Sequence, residues 1–302
     1  MEFSRRKFLC SVSSAVAVTT FPQLMHALPD GVHGPLKLRI GYAAITWGDN
    51  LQGAMEDISV VGYRGIQLRA NAVKLIPDPL VIKSELARRN LEFTALSSGD
   101  VALDPAGEKD TLALHEDHAR YLSRAGGLYL QLIGTFRASG TFTTAEYTRT
   151  GKLLTEIGKR ANNFGVQVAL HNHMGSIAQS PEQLARILDA ADARYVKLLL
   201  DVAHYKQGGG DPAAAVKQYA NRLLFLHFKD VKPANNKSGY EFVELGQGTV
   251  DLPAVVAALR AIRFHGWAVV EFDREPQGST RTPKESAELS KQYIEHTLGL
   301  QV

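Results

Sequence analysis

Eight short apolar stretches recur along the chain, at residues 38–44, 64–69, 91–97, 128–133, 166–171, 195–201, 222–228 and 267–272. Each is rich in Leu or β-branched residues and apolar almost throughout, as strands buried on both faces of a parallel sheet are. Helical patterns lie between them. Ser180-Pro181-Glu182-Gln183 supplies an N-cap, a proline at the first helical position and a capping-box Gln ahead of Leu184, Ile187 and Leu188. Asp251 caps a helix whose Leu252, Val255, Val256, Leu259 and Ile262 share a face. Asp211-Pro212, Asp78-Pro79 and Thr143-Thr144 open three more. Strand and helix alternate with no linker or low-complexity break, which predicts one α/β domain over residues 28–302, a single closed (β/α)8 TIM barrel. A doubly wound nucleotide-binding sheet needs a glycine-rich turn after its first strand, and here that turn reads Ala43-Ala44-Ile45-Thr46-Trp47-Gly48. Gly208-Gly209-Gly210 precedes Asp211-Pro212 without a Walker lysine and reads as a loop.

The first residues fall outside this pattern. Arg5-Arg6-Lys7 leads a modest apolar run from Phe8 to Phe21, ending near Met25-His26-Ala27, so residues 1–27 are expected to be a Tat-type export signal. That run is too short for a stable membrane anchor, and an extracytoplasmic or periplasmic location follows from it.

The composition, 45% hydrophobic and 22% charged over 302 residues, is that of a globular chain and excludes disorder. Three of the cations and one anion behind the net charge of +3 lie in residues 1–27, which leaves +1 for the rest. No run of Lys or Arg interleaved with aromatics appears, which argues against nucleic acid as a partner. The single cysteine, Cys10, lies inside the export signal, so the mature chain offers no disulfide and no thiolate ligand.

Four consecutive strands end in groups of metal-ligand type: His171, Asp201, His227 and Glu271. In a barrel such ends converge at one mouth. A charged group ending a buried strand costs several kcal/mol unless compensated, and one shared cation compensates all four. Two imidazoles and two carboxylates suit one divalent Mn, Fe, Co or Zn better than Mg or Ca. His173 and His204 follow a ligand by two and three residues, so both are expected at the same mouth as general acid and base. Lys229 and Asp230 follow His227 and either hold substrate hydroxyls or form a surface ion pair.

These segments resemble the xylose-isomerase-like barrels of sugar isomerases, epimerases and dehydratases, and among them the inosose dehydratases. The likeness spans roughly residues 38 to 298 and is strongest in HNHMGSIAQSPEQL and LLLDVAHYKQGGGDPAAAVKQYANRLLFLHFKDVK, with support from IGYAAITW and GWAVVEFD. It implies a metal quartet, usually Glu, Asp, His and Glu, at His171, Asp201, His227 and Glu271. Histidine in the first place departs from the superfamily, although inosose dehydratases are similar in carrying a histidine-rich stretch followed by Met-Gly there. Gln67 stands where the family often has Glu, which removes a buried charge.

Ketose epimerases in this superfamily use two metal-bound glutamates on opposite faces of the substrate, and here only Glu271 remains. One-sided proton abstraction followed by loss of a β-substituent needs one base and one acid. The expected activity is therefore a carbon–oxygen lyase, a dehydratase acting on a small-molecule carbohydrate: a keto-sugar, a keto-cyclitol or a 3-keto-glycoside. His173 or Glu271 takes the α-proton, and His204 protonates the departing oxygen. The rivals are a metal-dependent sugar isomerase or epimerase, and a periplasmic sugar-binding barrel without turnover. A homo-oligomer is left open.

Overall fold

The computed structural model describes residues 36–137, 141–273 and 280–302. The predicted export signal, with Cys10, lies outside them. The barrel strands are β1 (Leu38–Ala43), β2 (Gly65–Arg69), β3 (Glu92–Val101), β4 (Tyr129–Gly134), β5 (Gln167–His171), β6 (Val196–Asp201) and β7 (Leu223–Phe228). A hairpin of β8 (Asp230–Pro233) and β9 (Tyr240–Val243) follows, and β10 (Gly266–Val270) completes the barrel. All eight barrel strands pair in parallel, in the order β1-β10-β7-β6-β5-β4-β3-β2, and β2 returns to β1. Closure removes the sheet edges, as a single TIM barrel requires. No described helix is long and apolar enough to cross a membrane.

The helix starts legible in the sequence are formed by the side chains expected to form them. Ser180 and Thr143 each make a full capping box, with Gln183 and Glu146. Asp251, Asp211 and Asp78 each accept a backbone N–H from the first turn of the helix they open. These helices turn their apolar faces to the outside of the barrel and build the larger part of the core.

A smaller cluster fills the barrel's interior: Ala43, Ala95 and Ala169 on β1, β3 and β5 face Leu199, Phe225, Trp267 and Val269 on β6, β7 and β10. Small residues on one side make room for large ones on the other, the layered filling of such barrels. Gly65 on β2 completes the fit, since a Cβ there would stand 2.4 Å from both the Trp267 ring and Thr94 Oγ1.

Two strand ends differ from the expected ones by more than one residue. β3 continues to Val101, because a register shift between Ser97 and Asp100, with Gly99 at φ +107°, lets the strand bulge and rejoin β4. β10 stops at Val270, so Glu271 lies one residue past the strand; its N–H still donates to Phe228 O at 3.0 Å and holds it in line. The β8–β9 hairpin, where the sequence pattern shows only a strand end and a loop, is additional.

Gly65→Ala is expected to lower unfolding free energy by about 1–3 kcal/mol through overpacking against Trp267. Urea denaturation reads this directly, and a neutral change would mean the interior has slack at that level.

Candidate metal centre and active site

Side chains two residues apart on a strand point the same way. His171 follows inward-facing Ala169 by two, Asp201 follows Leu199, His227 follows Phe225 and Glu271 follows Val269. Each therefore continues its strand's inward row by one step, at the C-terminal mouth. All four are buried, and one ligand atom from each lies within 4.8 Å of the others. His227 Nδ1 is 3.1 Å from Glu271 Oε2 and 3.4 Å from Asp201 Oδ2, and His171 Nε2 is 3.4 Å from the same Asp201 oxygen.

These donors fit a divalent cation. His227 Nδ1 is buried without a well-formed hydrogen bond, although two carboxylates face it. A lone pair and two anionic oxygens converging in this way form a mixed N/O ligand set.

The electrostatics agree. Burial would raise Asp201 and Glu271, but the neighbouring histidines and Lys229 hold both well below the ordinary carboxylate range. Burial disfavours charge on His227 as well, yet Glu271 and Asp201 outweigh it and raise the imidazole to about 9. His171 goes the other way, pushed down to about 4 chiefly by burial.

Lys229 and Asp230 do not form a surface ion pair. Lys229 is fully buried, its Nζ 2.7 Å from Asp273 Oδ1, 2.9 Å from Glu271 Oε2 and 3.7 Å from Asp201 Oδ2. Phe242 of the hairpin roofs the ammonium at 4.2 Å. Asp230 points away from the mouth, and its two oxygens accept the backbone N–H groups of Val231, Val250, Gly246 and Gly248. It organises the hairpin and its return rather than holding a substrate.

The two remaining histidines are not equivalent. His173, half-buried, lines a cavity of about 480 Å3 together with His171, Glu271 and Asp273 on one side and Arg69 and Asp100 on the other. Its Nδ1–H donates to Met174 O at 2.7 Å, which leaves a lone pair on Nε2. His204 is buried behind it, ring centroids 4.0 Å apart, and is absent from the cavity wall. Its Nδ1 accepts from Met174 N–H, and its Nε2 lies 3.2 Å from Lys229 Nζ. Burial, then Lys229, hold His204 well below its ordinary value.

Two groups escaped the sequence reading. Asp273 stands two residues beyond Glu271, the same step that carries His171 to His173, and that spacing was its only signal. Gln131 on β4 is the lone polar residue in Tyr129-Leu130-Gln131-Leu132-Ile133. It accepts from Gln67 Nε2 at 2.7 Å, and Gln67 is itself 3.0 Å from His227 Nε2.

Fold and site together define a closed (β/α)8 barrel with a buried ligand set for one divalent metal at its C-terminal mouth. Residues 55–295 match the xylose isomerase-like TIM barrel family, and the chain belongs to it. A curated relative, inosose dehydratase of Bacillus velezensis strain FZB42, is 27% identical over 275 residues, covering 83% of this chain and 90% of its own. The crystal structure of the IolI protein with a bound zinc atom is similar at a TM-score of 0.74 and 20% identity, covering 87% of this chain and 98% of that one. That of the probable 3-DHS dehydratase AsbF from Bacillus anthracis gives 0.71 and 17%, covering 86% and 100%. At these identities the two structures establish the fold alone.

Two outcomes are expected. A cation entering the quartet displaces the His227 proton, so Co2+ affinity should climb about tenfold per pH unit while that proton is held and level off above about 9. The same raised value stabilises the metal-free protein fully below about 6.5, and that contribution is lost as pH rises through about 9. Co2+ titrations and thermal melts across this range check both, and flat curves would contradict them. Lys229→Met, which leaves three carboxylates facing one another, should destabilise the metal-free protein by about 3–5 kcal/mol in urea.

Proposed function

We propose that this protein is a metal-dependent carbon–oxygen lyase that removes water or an alcohol from a keto-cyclitol, a keto-sugar or a 3-keto-glycoside. The observation that carries it is His173: a histidine with a free Nε2 lone pair on the cavity wall, beside a quartet with a single glutamate. A divalent cation, when bound at the quartet, polarises the substrate carbonyl and acidifies the adjacent C–H. His173 Nε2 takes that α-proton, and the Met174 carbonyl on Nδ1–H fixes the tautomer that can do so. Asp273, on the same wall, is placed to return a proton to the departing oxygen as the C–O bond breaks; burial raises its carboxyl against the pull of Lys229. His204, set behind, is assigned the positioning of His173 through Met174 rather than the acid's role.

The names of the relatives support loss of water, since the Bacillus velezensis protein is an inosose dehydratase and the Bacillus anthracis structure a probable 3-DHS dehydratase. The bound zinc of the IolI structure supports a divalent cation at the quartet. A cavity of about 480 Å3 has the size of a small-molecule site, and Arg69 and Asp100 offer its far wall hydrogen-bonding groups for hydroxyls. Residues 1–27, read as an export signal, favour a substrate met outside the cytoplasm.

Purified protein with Mn2+ or Co2+ should convert keto-cyclitols or 3-keto-glycosides to an unsaturated product, followed by ultraviolet absorbance and mass. His173→Ala should lower the rate by about 10²–10⁴-fold while Co2+ affinity stays within a few-fold. Solvent deuterium entering recovered substrate, with no water or alcohol lost, would replace elimination by isomerisation.

A further inference from the structure

Two buried glutamines join the two histidines of the quartet into one row. His227 Nε2 is 3.0 Å from Gln67 Oε1, Gln67 Nε2 donates to Gln131 Oε1 at 2.7 Å, and Gln131 Nε2 is 3.1 Å from His171 Nδ1. Gln67 and Gln131 are each 2% exposed, so water has little access to mend a poor junction.

A neutral imidazole that gives a lone pair to a cation from one ring nitrogen carries its proton on the other. His227 faces the quartet with Nδ1, so its proton belongs on Nε2, where Gln67 Oε1 accepts it. His171 faces the quartet with Nε2, so as a ligand it needs its proton on Nδ1, and there it meets the amide NH2 of Gln131. Turning Gln131 over supplies an acceptor to His171 but sets its NH2 against that of Gln67. Turning Gln67 as well sets NH2 against the Nε2–H of His227. Whichever way the amides point, at least one of the three junctions opposes donor to donor when both histidines are ligands.

We infer that the Gln67–Gln131 pair selects between the two histidines, so that the cation is held by Asp201, His227 and Glu271 while His171 keeps its proton on Nε2 and stands beside the ion without ligating it. The inference rests on the quartet holding a divalent cation. A family-type Glu at position 67 would accept from both sides and let both histidines donate; Gln67, in its place, permits one. Gln131→Glu would lift the conflict equally well, because its carboxylate would accept from His171 Nδ1–H and from Gln67 Nε2–H together.

The test is a double-mutant cycle on Co2+ affinity, measured against a competing chelator, which cancels the effect of the added charge. His171→Ala should weaken Co2+ binding by less than about tenfold in the natural background and by at least about tenfold more with Gln131→Glu. Gln67→Glu should behave alike, in case one glutamate variant does not fold. Imidazole 15N spectra of the natural Zn2+-loaded protein give a readout without any variant: His171 should keep its proton on Nε2. Equal losses in all backgrounds, or a His171 proton on Nδ1 in the Zn2+-loaded protein, would overturn the selector and leave the metal site standing. A natural protein that binds no Co2+ would overturn both.

Discussion

Three carboxyl groups and one ammonium meet at the barrel's mouth, and the ammonium and the Asp201 carboxylate are fully buried. Glu271 is nearly so, Asp273 is a quarter exposed where it lines the cavity, and Lys229 touches all three. With Asp273 holding the proton it is to donate, a single ammonium against Asp201 and Glu271 leaves this cluster one charge short of neutrality. The proton held on His227 supplies it in the metal-free protein, and a cation at the quartet takes that proton's place. The paired carboxylates thus call for a cation, and the N/O donors select its type. The compensation is local: the balance lies within side chains of β6, β7 and β10, with no help from the exposed ion pairs around the helices.

The rest of the molecule keeps that cluster dry and still. Beneath it the interior is plugged by Trp267, Phe225 and Leu199, which leave no aqueous channel through the barrel. Beside it the β8–β9 hairpin brings Phe242 over Lys229 and within 4.8 Å of the His204 ring. Asp230, by collecting four backbone N–H groups from the hairpin and its return, fixes where that roof sits. Low polarity around a satisfied network strengthens it, as it would penalise a broken one.

The metal quartet was legible because strand periodicity and chemistry coincide there: four apolar runs end in His, Asp, His and Glu on one inward row. The same period of two carries on to His173, Lys229 and Asp273, which is why these three also reach the mouth. His204 does not follow it. Asp201 ends β6 and caps the helix Val202–Gln207, so the period changes from two to 3.6 at that residue and His204 is turned behind His173. Spacing counted without that change placed both histidines on the cavity. The hairpin was illegible for another reason: β8 and β9 are four residues each, and the connection from Ala234 to Gly239 is longer than the two-residue turns that announce hairpins. Gln131 gave only a polar residue in an apolar run, which becomes informative once β2, β4, β5 and β7 are known to face one another.

Asp201 shows how tightly the backbone dictates the chemistry. One of its oxygens, Oδ1, accepts the N–H groups of Ala203 and His204 at 2.9 and 2.8 Å, the capping bonds of the helix it opens. The other, Oδ2, is left as a single directed oxygen facing both histidines and Lys229. Asn172, which points outward between His171 and His173, grips the Asp201 backbone from both sides, accepting its N–H at 2.9 Å and donating to its carbonyl at 3.0 Å. The carboxylate therefore has no freedom to turn. A glutamate, one methylene longer, would not cap this helix and present an oxygen to the quartet from the same place. The requirement for Asp at the end of β6 comes from the strand-to-helix turn as much as from the ion.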